Sequence, residues 1–329
     1  MTRDIHEAVL EGTYWWGIPT LLGAPHDADP AAADIALIGV PHSTGNGTTE
    51  RDQHLGPRAV RHVSPWLSGR VHSGFGIDPW ARARIRDLGD VMLPQANDNE
   101  DCIRRITEHF AQVAAAGARP VAIGGDHSIT GGILMGLAGE GAPLTGGRKA
   151  GLLHIDAHTD TFEQLDHFLG ARRSAAHWGA YLVREGYVDA RRSVQIGLRG
   201  HTRSLDWLEP SRALGYEVVT MDRYREMGAE TAAALVRETI GEGPVYITFD
   251  LDALDPTIAP AVSNLEPGFG GFTVDEATAL LHAIRGFEII GGDVVCLMPT
   301  KDQPNNITSM VASSILFEIV SLIADSRPG

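Results

Sequence analysis

The sequence predicts an α/β fold, a three-layer sandwich around a mostly parallel central sheet. Two observations support this. Short, almost continuously apolar runs recur along the 329 residues, and such runs are typical of strands buried on both faces of a parallel sheet. Segments with apolar residues at helical spacing lie between the runs, and this alternation is the pattern of consecutive βαβ units.

Seven apolar runs are predicted to be strands. They are DIALIGVP at 34–41, PVAIGG at 120–125, AGLLHID at 150–156, SVQIGL at 193–198, YEVVTM at 216–221, PVYITFD at 244–250 and IIGGDVVCL at 289–297. No repeat, low-complexity tract or linker divides the chain. We therefore expect one domain over residues 34–329, preceded by an N-terminal extension, residues 1–33, that packs on it.

Two helices between these runs have clear sequence signals. The segment NEDCIRRITEHFAQVAAAG has Ile103, Ile106 and Phe110 at helical spacing, and Gly117 supplies a stop. The segment TVDEATALLHAIRG begins with a capping-box pattern, Thr273 and Glu276. Near the C-terminus, MVASSILFEIVSLIA is interrupted by Ser and Glu, and we expect a packed helix there instead of a membrane span.

The net charge narrows the possible binding partners, and the cysteine content narrows the possible cellular location. Against 27 Lys and Arg the chain has 42 Asp and Glu, a formal net charge of −15. This excludes nucleic acid and anionic membranes as main partners, since both need a basic surface, and it suits a small cationic substrate. Two cysteines make no disulfide framework, and no signal peptide is evident, so we expect a reducing, cytoplasmic location.

Acidic residues and histidines follow three of the predicted strands. In open α/β sheets, ligands bind beyond the carboxyl ends of the strands, and the three segments GGDHS, HIDAHTD and FDLDALDP lie at such ends. Any one of them is compatible with ordinary turn chemistry. Four carboxylates brought together without a cation would repel one another, however, and none of the three segments contains Lys or Arg.

Two divalent metal ions would compensate these carboxylates. The four acids carry a charge of −4, two ions carry +4, and two neutral imidazoles complete the set: Asp156, Asp160, Asp250 and Asp252 with His127 and His158. Carboxylate and imidazole without thiolate favour Mn²⁺, with Ni²⁺, Co²⁺ or Fe²⁺ as alternatives. Structural zinc would require cysteines, and calcium does not normally bind histidine.

The motifs GGDHS, DAHTD and FDLDALDP, in this order, resemble those of the ureohydrolase family, which includes arginase and agmatinase. The segments GTYWWGIPTLLG, LGPRAVR (55–61) and LEPGFGG (265–271) also resemble family landmarks. The resemblance runs from about residue 12 to the C-terminal helix. It implies an arginase-like sandwich, assembly into homo- or hetero-oligomers (trimers or hexamers), and a two-metal centre that hydrolyses guanidino C–N bonds. Its ligand set corresponds to the six residues named above.

The resemblance also implies a mechanism. Two metal ions lower the pKa of a bridging water and present a hydroxide to the guanidinium carbon. Asp160 is the candidate that accepts the proton and passes it to the leaving amine. His177, in SAAHWGAYL, aligns with a family histidine that shuttles protons or orients substrate; the alternative is a surface loop histidine. His154 either supports Asp156 or is a core residue.

Two positions in the expected pocket depart from the family, and a third is kept. Where relatives have DVVEVNP, this chain has GGDVVCLMP, so Cys296 occupies the position of a glutamate that helps hold the guanidinium. A neutral thiol cannot form that charge-assisted pair. Asn264 replaces a threonine that faces the substrate, whereas Glu266 keeps an acid found in agmatinase-like members. We expect these three residues to bind substrate.

These departures suggest a substrate other than arginine. A biguanide such as metformin is favoured, because Cys296, Leu297 and Met298 predict a more apolar pocket. Free guanidine, guanidinobutyrate and agmatine, cleaved with release of urea, are the alternatives. Trp15 and Trp16 either cover a cation or pack as part of the extension. Other classes are a non-catalytic subunit of a hetero-oligomer, a one-zinc deacetylase of the same fold, and a binding protein.

Overall fold

The computed structural model describes residues 17–47, 51–163, 167, 170–202 and 204–327. At its centre is a sheet of eight strands. They are β1 (Ile35–Val40), β2 (Ile85–Asp90), β3 (Arg119–Gly124), β4 (Gly151–Ile155), β5 (Val194–Leu198), β6 (Glu217–Thr220), β7 (Pro244–Asp250) and β8 (Glu288–Val295). Their order is β2-β1-β3-β8-β7-β4-β5-β6, and each neighbouring pair is parallel.

Helices cover both faces of the sheet, as the βαβ pattern predicts. Within the described ranges they are α1 (Gly56–Val63), α2 (Pro79–Arg82), α3 (Asn99–Ala115), α4 (Ser128–Leu137), α5 (Trp178–Arg184), α6 (Glu209–Leu214), α7 (Met221–Met227), α8 (Ala229–Ile240), α9 (Val274–Ala283) and α10 (Ile307–Asp325). Helices α1, α8, α9 and α10 pack into the core on one face, and α3, α4 and α5 pack into the core on the other. The predicted three-layer sandwich is confirmed.

The seven predicted strands are all present, but the sequence analysis missed β2. This strand, IRDLGD, lies at the edge of the eight-stranded sheet, where it pairs with β1 and makes an isolated parallel bridge from Asp87 to His26. The charged residues Arg86, Asp87 and Asp90 interrupt it, so it lacks the continuous apolar run that reveals the central strands. Its Asp87 carboxylate is fully buried. The Arg61 guanidinium compensates the buried charge by donating to both carboxylate oxygens at 2.9 Å.

The predicted helices are also present. In α3 the side chains of Ile103, Ile106 and Phe110 are buried, and α9 begins with the expected reciprocal capping box of Thr273 and Glu276. Helix α10 is long and apolar enough to cross a membrane, but 72% of the residues in that apolar stretch are buried inside the protein. It is therefore a core helix, as its Ser and Glu residues indicated.

The described part of the predicted N-terminal extension packs on the domain. Leu21 and Leu22 are fully buried, and the Leu21 backbone N–H donates to Asp87 Oδ2 at 2.8 Å. Residues 1–16, with Trp15 and Trp16, lie outside the described residues. The division into an extension (1–33) and a catalytic domain (34–329) stays a prediction.

The order of the four central strands brings the chemistry together. β3, β8, β7 and β4 are neighbours, so their carboxyl ends lie side by side. The segments GGDHS, HIDAHTD and FDLDALDP follow or end β3, β4 and β7, and CLMP follows β8. Parallel pairing thereby gathers four segments that are far apart in sequence.

Candidate metal centre

One group of ligand atoms surrounds the Nδ1 atom of His127. This atom lies 3.0 Å from Asp156 Oδ2, 3.0 Å from Asp160 Oδ2 and 3.2 Å from Asp250 Oδ2. A single N–H cannot point at three oxygens at once, and among the described residues this buried nitrogen has no hydrogen-bond partner of acceptable geometry. Three oxygens and a nitrogen converging without a hydrogen bond form a suitable cradle for a cation.

A second group of ligand atoms lies beside the first. His158 Nδ1 is 3.1 Å from Asp252 Oδ2 and 3.5 Å from Asp156 Oδ1. The buried Asp252 Oδ2 is also without a hydrogen-bond partner in the described part of the chain. Because Asp156 offers Oδ2 to the first group and Oδ1 to the second, it is placed to bridge two ions. The structure thus brings all six expected ligands together.

The electrostatics of the cluster favour bound cations. Burial, followed by the charge of Asp156, raises the pKa of Asp250, and burial with the charge of Asp250 raises the pKa of Asp252 well above its ordinary value. Burial acts in the same direction on Asp156, but its contacts with the surrounding histidines, which include the hydrogen bond from His154, hold its pKa well below the ordinary value. Carboxylates buried at this density need positive charge nearby, and four carboxylates with two imidazoles fit two divalent ions.

The other ring nitrogen of His127 sets which tautomer is present. His127 Nε2 lies 2.8 Å from Thr248 Oγ1, and the Thr248 hydroxyl donates to Asp293 Oδ1 at 2.7 Å. Because the hydroxyl hydrogen goes to Asp293, the hydroxyl oxygen accepts from Nε2–H. The lone pair of Nδ1 is then directed at the cation cradle, which is the arrangement that a metal-binding histidine requires.

His154, unlike His127, directs its ring hydrogen at the carboxylate cluster. The Gln195 side-chain nitrogen lies 2.6 Å from the Thr159 carbonyl oxygen, which can only accept, and 3.0 Å from His154 Nδ1. The Gln195 amide therefore donates to His154 Nδ1, and the hydrogen of the neutral ring is on Nε2. That Nε2–H donates to Asp156 Oδ2 at 2.8 Å. His154 thus orients Asp156 and has no lone pair free for a metal ion, although it lies within the cluster.

These supporting residues form a row across four adjacent strands. In the register of the sheet, Gln195 of β5 is opposite His154 of β4, His154 is opposite Thr248 of β7, and Thr248 is opposite Asp293 of β8. We call these four residues the polar row. The sequence analysis did not identify Gln195, Thr248 or Asp293; the only sequence signal was a charged residue, Asp293, within an apolar strand.

Three of the predicted site residues have unusual backbone conformations. Asp160, Asn264 and Cys296 adopt positive φ angles of 49°, 53° and 70°. Such angles are uncommon outside glycine and concentrate at functional sites, where the surrounding structure holds them in place. At Asp160 the side chain is fixed further by the Trp178 indole N–H, which donates to Oδ2 at 2.8 Å.

A cavity of about 580 Å³ leads to the cluster. His158, Asp160, Asn264 and Glu266 line it, together with other residues that include Phe162, His201, Thr202, Trp207 and Pro210. Asn264 and Glu266 thus face the space that a substrate would occupy.

Cys296 lies elsewhere. It is 3% exposed and does not line the described cavity, and Leu297 and Met298 do not line it either. Its thiol contacts Asp250 and Ser263, and burial, with the charges of Asp250 and Asp252, raises its pKa well above the ordinary value. Cys296 is therefore a neutral thiol behind the ligand Asp250, and its part in substrate binding stays a prediction.

His177 lies near the cavity without lining its described part. It precedes α5, it is 9% exposed, and its Nδ1 is 2.8 Å from Ser174 Oγ. The residues Ser174, Ala175 and Ala176 line the cavity. The alternative of a surface histidine does not hold, because the ring is buried. Its catalytic role stays a prediction.

Comparison with known proteins defines the class. The chain matches the arginase family over residues 33–321, and it therefore belongs to that family, as its motifs indicated. The predicted enzyme class, a hydrolase of guanidine-type C–N bonds, is confirmed.

Individual relatives cover nearly the whole chain. The chain is similar to a guanidinopropionase from Pseudomonas aeruginosa, with 37% identity over 316 residues, 94% of this chain and 93% of that protein. It is 35% identical to the mitochondrial guanidino acid hydrolase of Homo sapiens, covering 92% of this chain and 82% of that protein. Among solved structures, proclavaminate amidino hydrolase from Streptomyces clavuligerus matches with a TM-score of 0.84 and 32% identity, over 95% of this chain and 99% of that one.

Proposed function

We propose that this chain is a two-metal amidinohydrolase that cleaves a guanidino C–N bond and releases urea. The observation that supports this most strongly is that two groups of ligand atoms share Asp156, one around His127 and the other around His158. Two divalent ions held there would supply a hydroxide nucleophile at neutral pH. The oxygen-rich donor set favours Mn²⁺, and Ni²⁺ is the alternative.

The protein groups have separate tasks in this reaction. Asp160 borders the cavity and is held by Trp178, so it is positioned to accept a proton from the attacking water and to return it to the departing amine. Asn264 and Glu266 line the cavity in which the substrate would bind. His177 is the candidate that exchanges protons between the site and solvent.

The favoured substrate is a short guanidino acid. The relatives named guanidinopropionase and guanidino acid hydrolase are 37% and 35% identical to the chain over most of its length. The Arg199 guanidinium lines the cavity but donates to the main-chain oxygens of residues 252–254, so it stiffens the wall. Among the described residues of the wall, His201 offers a ring N–H that a substrate carboxylate could accept.

A biguanide such as metformin is the second candidate, and it has less support. The expectation rested on Cys296, Leu297 and Met298, which are buried outside the described cavity wall. The feature that still favours it is the presence of the apolar side chains of Phe162, Trp207 and Pro210 in the cavity wall.

The test is a substrate panel on metal-reconstituted protein. Chain loaded separately with Mn²⁺ and Ni²⁺ is given 3-guanidinopropionate, 4-guanidinobutyrate, agmatine, guanidine and metformin, and urea, amine and bound metal are measured on one sample. We expect two ions per chain and urea release from a guanidino acid. Strong turnover of metformin alone would reverse the substrate order.

The same panel distinguishes an enzyme from a non-catalytic subunit of the same fold. Fewer than one ion per chain, with no turnover, would favour a non-catalytic subunit. Light scattering on the sample tests the proposed trimer or hexamer of one chain type, and activity of the chain alone would exclude a required second subunit. We propose a cytoplasmic location, which suits two buried free cysteines.

A further inference from the structure

The two histidines of the candidate metal centre differ in exposure. The His127 side chain is 2% exposed, whereas that of His158 is 29% exposed and lines the cavity. None of the four carboxylate side chains in the cluster exceeds 12% exposure. His158 is therefore the ligand least constrained by packing, and another contact is needed to fix its ring.

Glu266 makes that contact. His158 Nε2 lies 3.2 Å from Glu266 Oε1, on the side of the ring opposite to Asp252. An ionised carboxylate only accepts hydrogen bonds, so it requires the hydrogen on Nε2. In the neutral ring this leaves the lone pair on Nδ1, directed at Asp252 and Asp156. We infer that Glu266 is a positioning residue that fixes the metal-binding tautomer and orientation of His158.

Glu266 is itself held in place. A Cβ atom built on Gly200 would lie 2.4 Å from both Cδ and Oε2 of Glu266, so this carboxylate packs directly against the Gly200 main chain. Gly200 has a φ of +105°, a conformation that side chains rarely adopt. The backbone N–H of His201 also donates to the carboxylate. These contacts direct Oε1 at His158 and distinguish Glu266 from a free side chain at the cavity wall.

This assignment rests on the proposed metal centre and adds a role that substrate contact alone would not give. If Glu266 acts through His158, it controls affinity for one of the two ions, the one bound by Asp252 and His158. A carboxylate partner on a ligating histidine typically changes metal affinity by about 10- to 100-fold. The ion held by His127 has its own support from Thr248 and is expected to be unaffected.

Two variants and one control test the assignment. Glu266→Leu removes the acceptor, whereas Glu266→Gln keeps an amide oxygen that can still accept from Nε2–H. Asp206→Leu is the matched control, since Asp206 is another acid lining the same cavity, and its side chain is exposed. The measurements are the ¹⁵N chemical shifts of His158 in metal-free protein, taken at a pH above the raised pKa of this ring so that it is neutral and assigned with His158→Gln, and Mn²⁺ binding by equilibrium dialysis.

In the wild-type chain we expect the ¹⁵N shifts of a ring protonated at Nε2. In Glu266→Leu we expect a mixture of tautomers and about 10- to 100-fold weaker binding of one Mn²⁺ equivalent, with the other equivalent unchanged. Glu266→Gln should restore most of the tautomer preference and of the affinity, and Asp206→Leu should behave as wild type.

Unchanged tautomer and Mn²⁺ affinity in Glu266→Leu, with only KM raised, would overturn the inference and leave Glu266 as a substrate contact. Equal weakening of both Mn²⁺ equivalents would overturn it too, since the variant would then be disturbing the whole site. If wild type itself binds no divalent ion, the proposed function fails, while the metal-free tautomer measurement still decides the role of Glu266.

Discussion

Two clusters in this molecule place histidines against a carboxylate, and they differ in whether a ring nitrogen has a lone pair available for a metal ion. One is the candidate metal centre. The other joins His72, His282 of α9 and Glu318 of α10, where His72 Nε2 and His282 Nε2 lie 2.9 Å and 2.8 Å from Glu318 Oε2. Both have the residue types and spacing of a metal site.

The second ring nitrogen separates them. The backbone N–H of Phe75 donates to His72 Nδ1 at 3.0 Å, so the hydrogen of the neutral ring is on Nε2 and is donated to Glu318. The His72 ring also stacks on Phe75, with centroids 3.9 Å apart. In the metal centre, by contrast, the ring hydrogen of His127 is donated away from the carboxylates, to Thr248. Proximity of ligand types is thus insufficient, because hydrogen bonding at the far nitrogen decides whether a lone pair is available.

The largest expected effect is on the bridging carboxylate. Asp156→Asn removes a charge shared by both ligand groups, and we expect loss of bound metal and a fall in kcat/KM of at least about a thousandfold, since groups that act as a unit fail together. Metal content and urea release measure this. Glu318→Gln is the control for the other cluster and should keep two ions per chain. Equal metal loss in both variants would abolish the distinction between the clusters.

A smaller effect is expected from the residue that sets the His154 tautomer. Gln195→Leu removes the donor to Nδ1, so the hydrogen on Nε2 is no longer required and Asp156 loses part of its orientation. We expect about tenfold weaker metal binding, measured by dialysis, with the fold retained in circular dichroism. Unchanged affinity would show that packing alone orients Asp156.

In the second cluster the effect should fall on stability. Glu318→Leu leaves two imidazole N–H groups without their acceptor, and an unsatisfied buried donor costs about 1–3 kcal/mol. We expect a loss of that size in the free energy of unfolding in denaturant, with metal stoichiometry unchanged. A change in bound metal would mean that this cluster also binds an ion.

The smallest effect concerns pH. Burial acts to raise the pKa of Glu318, but the hydrogen bonds from His282 and His72 outweigh it, so the pKa lies below the ordinary value. A carboxyl whose pKa is lower in the folded state stabilises fully above its unfolded pKa, about 4.3, and this stabilisation is lost as pH falls through the folded value. The stability difference between wild type and Glu318→Gln should therefore be constant near neutrality and shrink in acid. A difference that grows in acid would contradict this.

The sequence predicted the central strands and the residues that meet at the candidate metal centre because both depend on local patterns. Apolar runs reveal strands with both faces covered, and carboxylates at strand ends are visible as DAHTD or DLD. The edge strand β2 was missed because charged residues interrupt its apolar pattern. The roles of Gln195 and Thr248 were also missed, since each depends on a partner in a neighbouring strand, and strand order and register are not written in any one segment.

Cys296 shows the same limit from the other side. Alignment with the family motif assigned it to the substrate, and that assignment stays a prediction, but its backbone has a positive φ and its thiol contacts Asp250, a candidate metal ligand. The identity of a residue in a motif does not say where its side chain points when the backbone conformation at that position is unusual.

The polar row has a consequence for assembly of the sheet. Gln195 donates to His154 across β5 and β4, and Thr248 donates to Asp293 across β7 and β8, so each pair is satisfied only when its two strands are aligned as they are. Sliding one of these strands along its neighbour would leave amide, imidazole, hydroxyl and carboxyl groups without partners in an apolar interior, at a cost of about 1–3 kcal/mol each. The residues that support the candidate metal centre thus also help to specify how the strands of the sheet align.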